Sequence, residues 1–184
     1  MFSTQYGQMS SAHFDLLMLA LRLIAGGTIF VHGFNKIFRG GKIAGTARWF
    51  DSMGMKPNGK VHAWMAALTE TGCGVLIALG FLTPLAAAGV IGVMVVAGIT
   101  THPKAFLITK DGFEFVLILG TLFFAISAFG PGKWSLDRAF GLSEGLGDYL
   151  GNGWISTAVP LVLGIGSGLG LLAACYRPPA KTDS

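Results

Sequence analysis

Six side chains able to do acid, base or ligand chemistry fall inside or at the ends of long apolar runs: Arg22, His32, Lys36, Glu70, His102 and Glu114. An ionisable group in hydrocarbon costs several kcal/mol unless it is paired or wetted, so each is a functional candidate by position alone. Glu70 and Glu114 are the candidate proton carriers, and therefore the catalytic candidates if there is catalysis. Arg22 and Glu70 lie about 12 and 13 Å deep when counted from the ends of their segments, which predicts an Arg22–Glu70 pair near the middle of the membrane. Such a pair either neutralises two buried charges and sets helix register, or belongs to a polar pocket that binds a head group or relays protons. His32 and His102, on two helices at one level, invite a haem or metal reading. No cysteine partner or supporting acid pattern accompanies them, and the reading here is no metal and no evident cofactor. His13 and His62 read as ordinary interfacial residues. No GxSxG elbow surrounds Ser127, which argues against a serine hydrolase.

The elements that must position these groups follow from composition. The 184 residues are 52% hydrophobic and 12% charged, outside the range of a soluble domain. Five apolar segments approach the 20 or so residues that a helix needs to cross a bilayer: Phe14–Phe34, Val61–Leu82, Leu85–Thr101, Gly112–Phe129 and Trp154–Tyr176. The chain therefore reads as an all-α integral membrane bundle. Thr83-Pro84 allows only an antiparallel hairpin between the second and third spans. Between the first two, Arg39–Lys60 is basic, but Ile43, Ala47, Phe50 and Met53 recur at helical spacing, which predicts a short amphipathic helix at the interface. Met1–Ala12 carries no basic residue and Arg22 would interrupt an apolar signal core, so the first segment is expected to remain in the membrane. Cys73 and Cys175 have no CxxC spacing and are expected to pack as small hydrophobes.

Charge decides the expected orientation. Lys36, Arg39, Lys42, Arg48, Lys56, Lys60, Lys104, Lys110, Arg177 and Lys181 collect on one side, against Lys133 and Arg138 on the other. The positive-inside rule then puts the amino terminus outside and the carboxyl terminus in the cytoplasm. It also accounts for the net charge of +4 without nucleic acid. His32, Lys36, His102 and Glu114 are expected to converge near the cytoplasmic face. In the fifth span, Gly164/Gly168 and Gly166/Gly170 form two small-xxx-small faces, suited to a neighbouring helix of this or another subunit. No inverted repeat or pair of broken helices suggests a transporter.

Arg22-Leu-Ile-Ala-Gly26, His32-Gly-Phe-Asn-Lys36, Phe50 and Met53-Gly-Met-Lys-Pro57 resemble the opening of the DoxX family of small bacterial membrane proteins. The resemblance continues through Glu70-Thr-Gly-Cys-Gly74, Leu79-Gly-Phe-Leu-Thr83, His102, Asp111-Gly-Phe-Glu114 and Gly130-Pro-Gly-Lys-Trp-Ser-Leu-Asp137. It implies an N-terminal tail at 1–13, a four-helix core at 14–140 with an interfacial segment at 39–60, and an added region at 141–184 containing the fifth helix. It also implies a bacterial inner-membrane location and quinone-linked electron transfer. In that reading His32 and Lys36 hydrogen-bond a quinone carbonyl, Glu70 or Glu114 exchanges protons, and Arg22 holds Glu70 ionised. The competing expectation is a non-catalytic accessory subunit that packs through Gly164, Gly166, Gly168 and Gly170 onto other membrane subunits or onto copies of itself.

Overall fold

A computed structural model of the chain describes residues 11–101, 105–142 and 153–178. They form seven α-helices: α1 Ser11–Phe38, α2 Lys42–Ser52, α3 Gly59–Leu79, α4 Thr83–Thr100, α5 Glu114–Phe129, α6 Leu136–Ala139 and α7 Trp154–Cys175. A single 3₁₀ turn, Ile108–Lys110, precedes α5. Among the described residues there is no strand, so the protein is the all-α membrane bundle that its composition predicts. Four helices, α1, α3, α4 and α7, are long and apolar enough to cross a membrane.

The remaining expected span is shorter than the sequence suggests. Gly112 and Phe113 do not join α5, because their amides donate to Leu107 O and Ala105 O in a closed turn entered through Asp111 at φ +55°. The 16 residues left reach about 24 Å. Even so, α5 lies alongside α1 over most of its depth: Phe115 meets His32 at one end, and beyond the other end Lys133 N donates to Asp15.

Close backbone approach sets the order of packing. A Cβ on Gly26 would stand 2.6 Å from Gly74 O, and one on Gly74 would stand 2.7 Å from Gly26 O. Gly33 presses with equal tightness on Ala67 and Thr71. Antiparallel α1 and α3 are thereby locked in one register, with Arg22 beside Gly80 and Lys36 within reach of Glu70. Met18, Ala25, Ile29, Ile77, Val90, Phe123 and Ile126 fill the space between these two helices and α4 and α5.

Helix α7 packs on α4 through the Gly164/Gly168 face foreseen for a neighbour, and the neighbour belongs to the same chain. A Cβ on Gly168 would meet Gly92 O at 2.9 Å and Val95 Cβ at 2.8 Å, whereas Gly166 and Gly170 have nothing within 4 Å. Gly168→Val is therefore expected to lower stability by about 1–3 kcal/mol through overpacking, and Gly166→Val to leave it nearly unchanged. Thermal unfolding of the two variants in detergent measures the difference.

Helix α2 forms where the spacing of Ile43, Ala47, Phe50 and Met53 places it, but that face turns toward protein. Phe50, Met55 and Ala63 are buried together, with Leu171, Cys175 and Tyr176 of the α7 end packed against them. The segment after α2 is stitched to the same end of α7: Lys56 N donates to Cys175 O at 2.8 Å and Arg177 N donates to Gly54 O at 2.9 Å. Asp51 on α2 accepts from Gly59 N at 2.5 Å, and Asn58 accepts from Val61 N at 3.1 Å, so two side chains cap the start of α3.

Candidate functional site

Helices α3 and α7 both lie on α4 and leave a gap between themselves. Across the gap runs a cavity of about 500 Å³, floored by the small and β-branched side of α4 from Gly89 to Thr101 and closed at one end by Trp49, Phe50 and Met55. One wall is the stripe His62, Ala66 and Glu70 of α3, and the other is Ser167, Gly168 and Leu171 of α7. Most of this lining is apolar, so its few polar groups act in a weakly screened setting.

Lys36 reaches across from α1 and donates from Nζ to Glu70 Oε2 at 2.6 Å. The Glu70 side chain is 5% exposed and that of Lys36 21%, which makes this an ion pair at the edge of the cavity and not a surface contact. A lone Glu70 carboxylate in this lining would be strongly disfavoured, so Lys36 takes the partner role that depth counting assigned to Arg22.

The expected Arg22–Glu70 pair does not form. Arg22 is fully buried at the far end of α3, where it donates to Ala78 O at 3.4 Å and to Trp134 O and lies against Gly80. The glycine contacts between α1 and α3 explain the displacement. Depth counting took Arg22 from Phe14 and Glu70 from Val61 as if the helix ends were level, but α1 has 28 residues and α3 only 21, and the true register puts Arg22 beside Gly80, nearly three turns from Glu70. Arg22 instead joins a knot that holds the Gly130–Asp137 segment to the α3–α4 hairpin. Asp137 is its centre, accepting from Leu82 N at 2.7 Å, Thr83 N at 3.0 Å and Thr83 Oγ1 at 2.7 Å.

Of the other candidates, His32 and Glu114 stand at one end of the α1–α5 seam, and neither lines the cavity. His32 is exposed and its ring faces Phe115, 6.1 Å away between centroids, on the seam of α1 and α5. Glu114 opens α5, where its charge favours the helix N-terminus, and it does not line the cavity. His102 lies outside the described residues, and with it any pairing of His32 and His102.

His62 is the residue that sequence reading set aside. It is 3% exposed, lines the cavity, and has its Nε2 2.7 Å from Lys56 O. Because a carbonyl can only accept, Nε2 carries the proton. Among the described residues, Nδ1 is buried with no hydrogen-bond partner. The available signal was spacing: His62, Ala66 and Glu70 recur every four residues and so share one face of α3.

Residues 17–103 match the family model described as DoxX. The matched stretch runs from α1 through α4 and carries Lys36, His62 and Glu70. Of the cavity lining, only Ser167, Gly168 and Leu171 fall outside it. Comparison with curated proteins and with solved structures returned no match.

Proposed function

Because the chain belongs to the DoxX family through residues 17–103, a family of membrane proteins, we propose that it is the carrier-binding subunit of a quinone-linked oxidoreductase. The supporting observation is the cavity itself, an apolar chamber with the Lys36–Glu70 pair at its edge. Its size and mostly apolar lining suit a lipophilic ring, and its few polar groups suit the oxygen atoms of that ring. The Lys36 ammonium donates a hydrogen bond to a quinone oxygen, and Glu70 passes protons to and from the same oxygen. Converting quinone to quinol takes up two protons and two electrons, and the electrons come from a partner subunit. Glu70 is preferred to Glu114 for this role because Glu70 alone lines the cavity. By the distribution of Lys and Arg, the cavity opens near the cytoplasmic side of a bacterial inner membrane, with the amino terminus outside.

Trp49 lines the cavity and supplies a reporter. A short-chain benzoquinone is expected to quench its fluorescence saturably, and Lys36→Met to weaken that binding about tenfold, as losing a charge-assisted donor does. Equal and negligible binding by both proteins removes the proposal.

One observation favours a second reading, an accessory subunit of a larger membrane complex. Gly166 and Gly170 face open space beside Val162 and Leu169, which are 67% and 49% exposed, leaving a smooth apolar strip on α7. Purification in mild detergent separates the readings, since a monodisperse, partner-free and fully stable protein counts against the accessory role.

A further inference from the structure

We infer that the cavity selects the reduced, hydroxyl-bearing form of its carrier over the oxidised form, and that His62 makes the selection. This rests on the quinone reading above and adds a direction to it.

The argument is a count of donors and acceptors. The Nε2 proton of His62 is committed to Lys56 O, so the neutral ring offers the cavity only the Nδ1 lone pair. Among the described residues nothing donates to that lone pair. Three of the hydroxyl protons at the cavity are committed as well. Thr100 Oγ1 donates to Val96 O at 2.8 Å, Ser167 Oγ to Gly164 O at 3.1 Å, and Thr101 Oγ1 to Met53 Sδ at 3.6 Å. Their oxygens retain acceptor capacity, as does the Glu70 carboxylate. On the donor side stand the Lys36 ammonium, with one of its three protons already on Glu70, the Thr69 hydroxyl and the Trp49 indole N–H. The lining therefore presents more acceptors than donors. A quinone brings two carbonyl acceptors and no donor, whereas a quinol brings two O–H donors.

Phe50 reinforces the choice. Its ring lies 6.0 Å from that of His62 between centroids and lines the same cavity, an apolar neighbour that offers the imidazole no hydrogen bond. The unmet acceptor is thus relieved by a ligand hydroxyl, and an orphaned buried acceptor makes that contact favourable. The tautomer is held from outside the family-matched stretch. The Lys56 carbonyl is fixed because its own amide donates to Cys175 O and because Met55 pairs with Tyr176, so the end of α7 determines which ring nitrogen faces the ligand.

The test is calorimetric titration of the full chain in detergent, under anaerobic conditions, with a decyl-tailed benzoquinone and separately with its quinol. The wild type is expected to bind the quinol about tenfold tighter, the worth of one well-made hydrogen bond. His62→Phe is expected to lower quinol affinity to the quinone level while leaving quinone affinity unchanged. His62→Gln, whose amide can donate to Lys56 O and still accept, is expected to restore the preference. Equal wild-type affinities for the two forms overturn the inference while leaving the quinone reading intact. So does a His62→Phe variant that weakens both forms equally, since that is the mark of a merely structural residue. If neither form binds, the quinone reading and this inference fall together. Should His62→Phe not fold, the wild-type comparison decides alone.

Discussion

Lys36→Met and Glu70→Leu, made singly, are each expected to destabilise the protein by about 3 kcal/mol, and the double variant to recover most of that loss. Each single change leaves one charge in the apolar lining with its partner removed, Glu70 at 5% exposure or Lys36 at 21%. Removing both replaces an ion pair with packed apolar side chains, which is often neutral or better because two desolvation penalties disappear along with one attraction. Stability and function therefore separate in the double variant: it folds, but it no longer hydrogen-bonds or protonates a carrier oxygen. Thermal unfolding gives the stability side and quinone quenching of Trp49 gives the binding side. If the double variant binds quinone as tightly as wild type, the pair serves only to set the register of α1 on α3, and the proposed role fails.

That pair also shows where the sequence was readable and where it was not. The apolar segments were legible because length and hydropathy are local properties, and α2 was legible because four apolar residues at helical spacing mark one face. What those faces meet is not local. Gly164 and Gly168 were readable as a packing surface, yet nothing within α7 says that Gly92 and Val95 of α4 would occupy it. Lys36 and Glu70 were both recognised as candidates, but their pairing depends on the register of two helices. That register is fixed by Gly26, Gly33 and Gly74, which carry no charge to draw attention. Taking the ends of α1 and α3 as level was enough to assign Glu70 the wrong cation. His62 was missed because its importance lies in an unmet lone pair, and that depends on Lys56 O taking the other nitrogen. The role of Asp137 was hidden for a similar reason, since its partners Leu82 and Thr83 stand more than 50 residues earlier in the chain.

Asp137→Ala is expected to destabilise the bundle by about 3–5 kcal/mol, and Asp137→Asn by less. The carboxylate is 1% exposed and accepts from three donors, two of them amides at the start of α4. It is therefore an N-terminal cap delivered from another part of the chain, and it opposes the positive end of the helix dipole. It also holds Leu82 at φ +48°, a conformation costly for a residue with a Cβ, and its own amide donates to Gly80 O at 2.8 Å. Alanine leaves three donors without that acceptor, and the two on Thr83 are buried away from water. Asparagine keeps one acceptor oxygen and turns an N–H toward donors. The fully buried Arg22 shares this knot through Trp134 O. Glu70 lies ten residues before Gly80 along α3, about 15 Å away, so the knot and the cavity sit at opposite ends of that helix. Asp137→Ala protein that remains folded at low temperature should thus bind the carrier with near wild-type affinity while melting early. Unchanged melting would mean that the hairpin is held by helix packing alone. Early melting with equally weakened binding would mean that the two ends of the bundle are not independent.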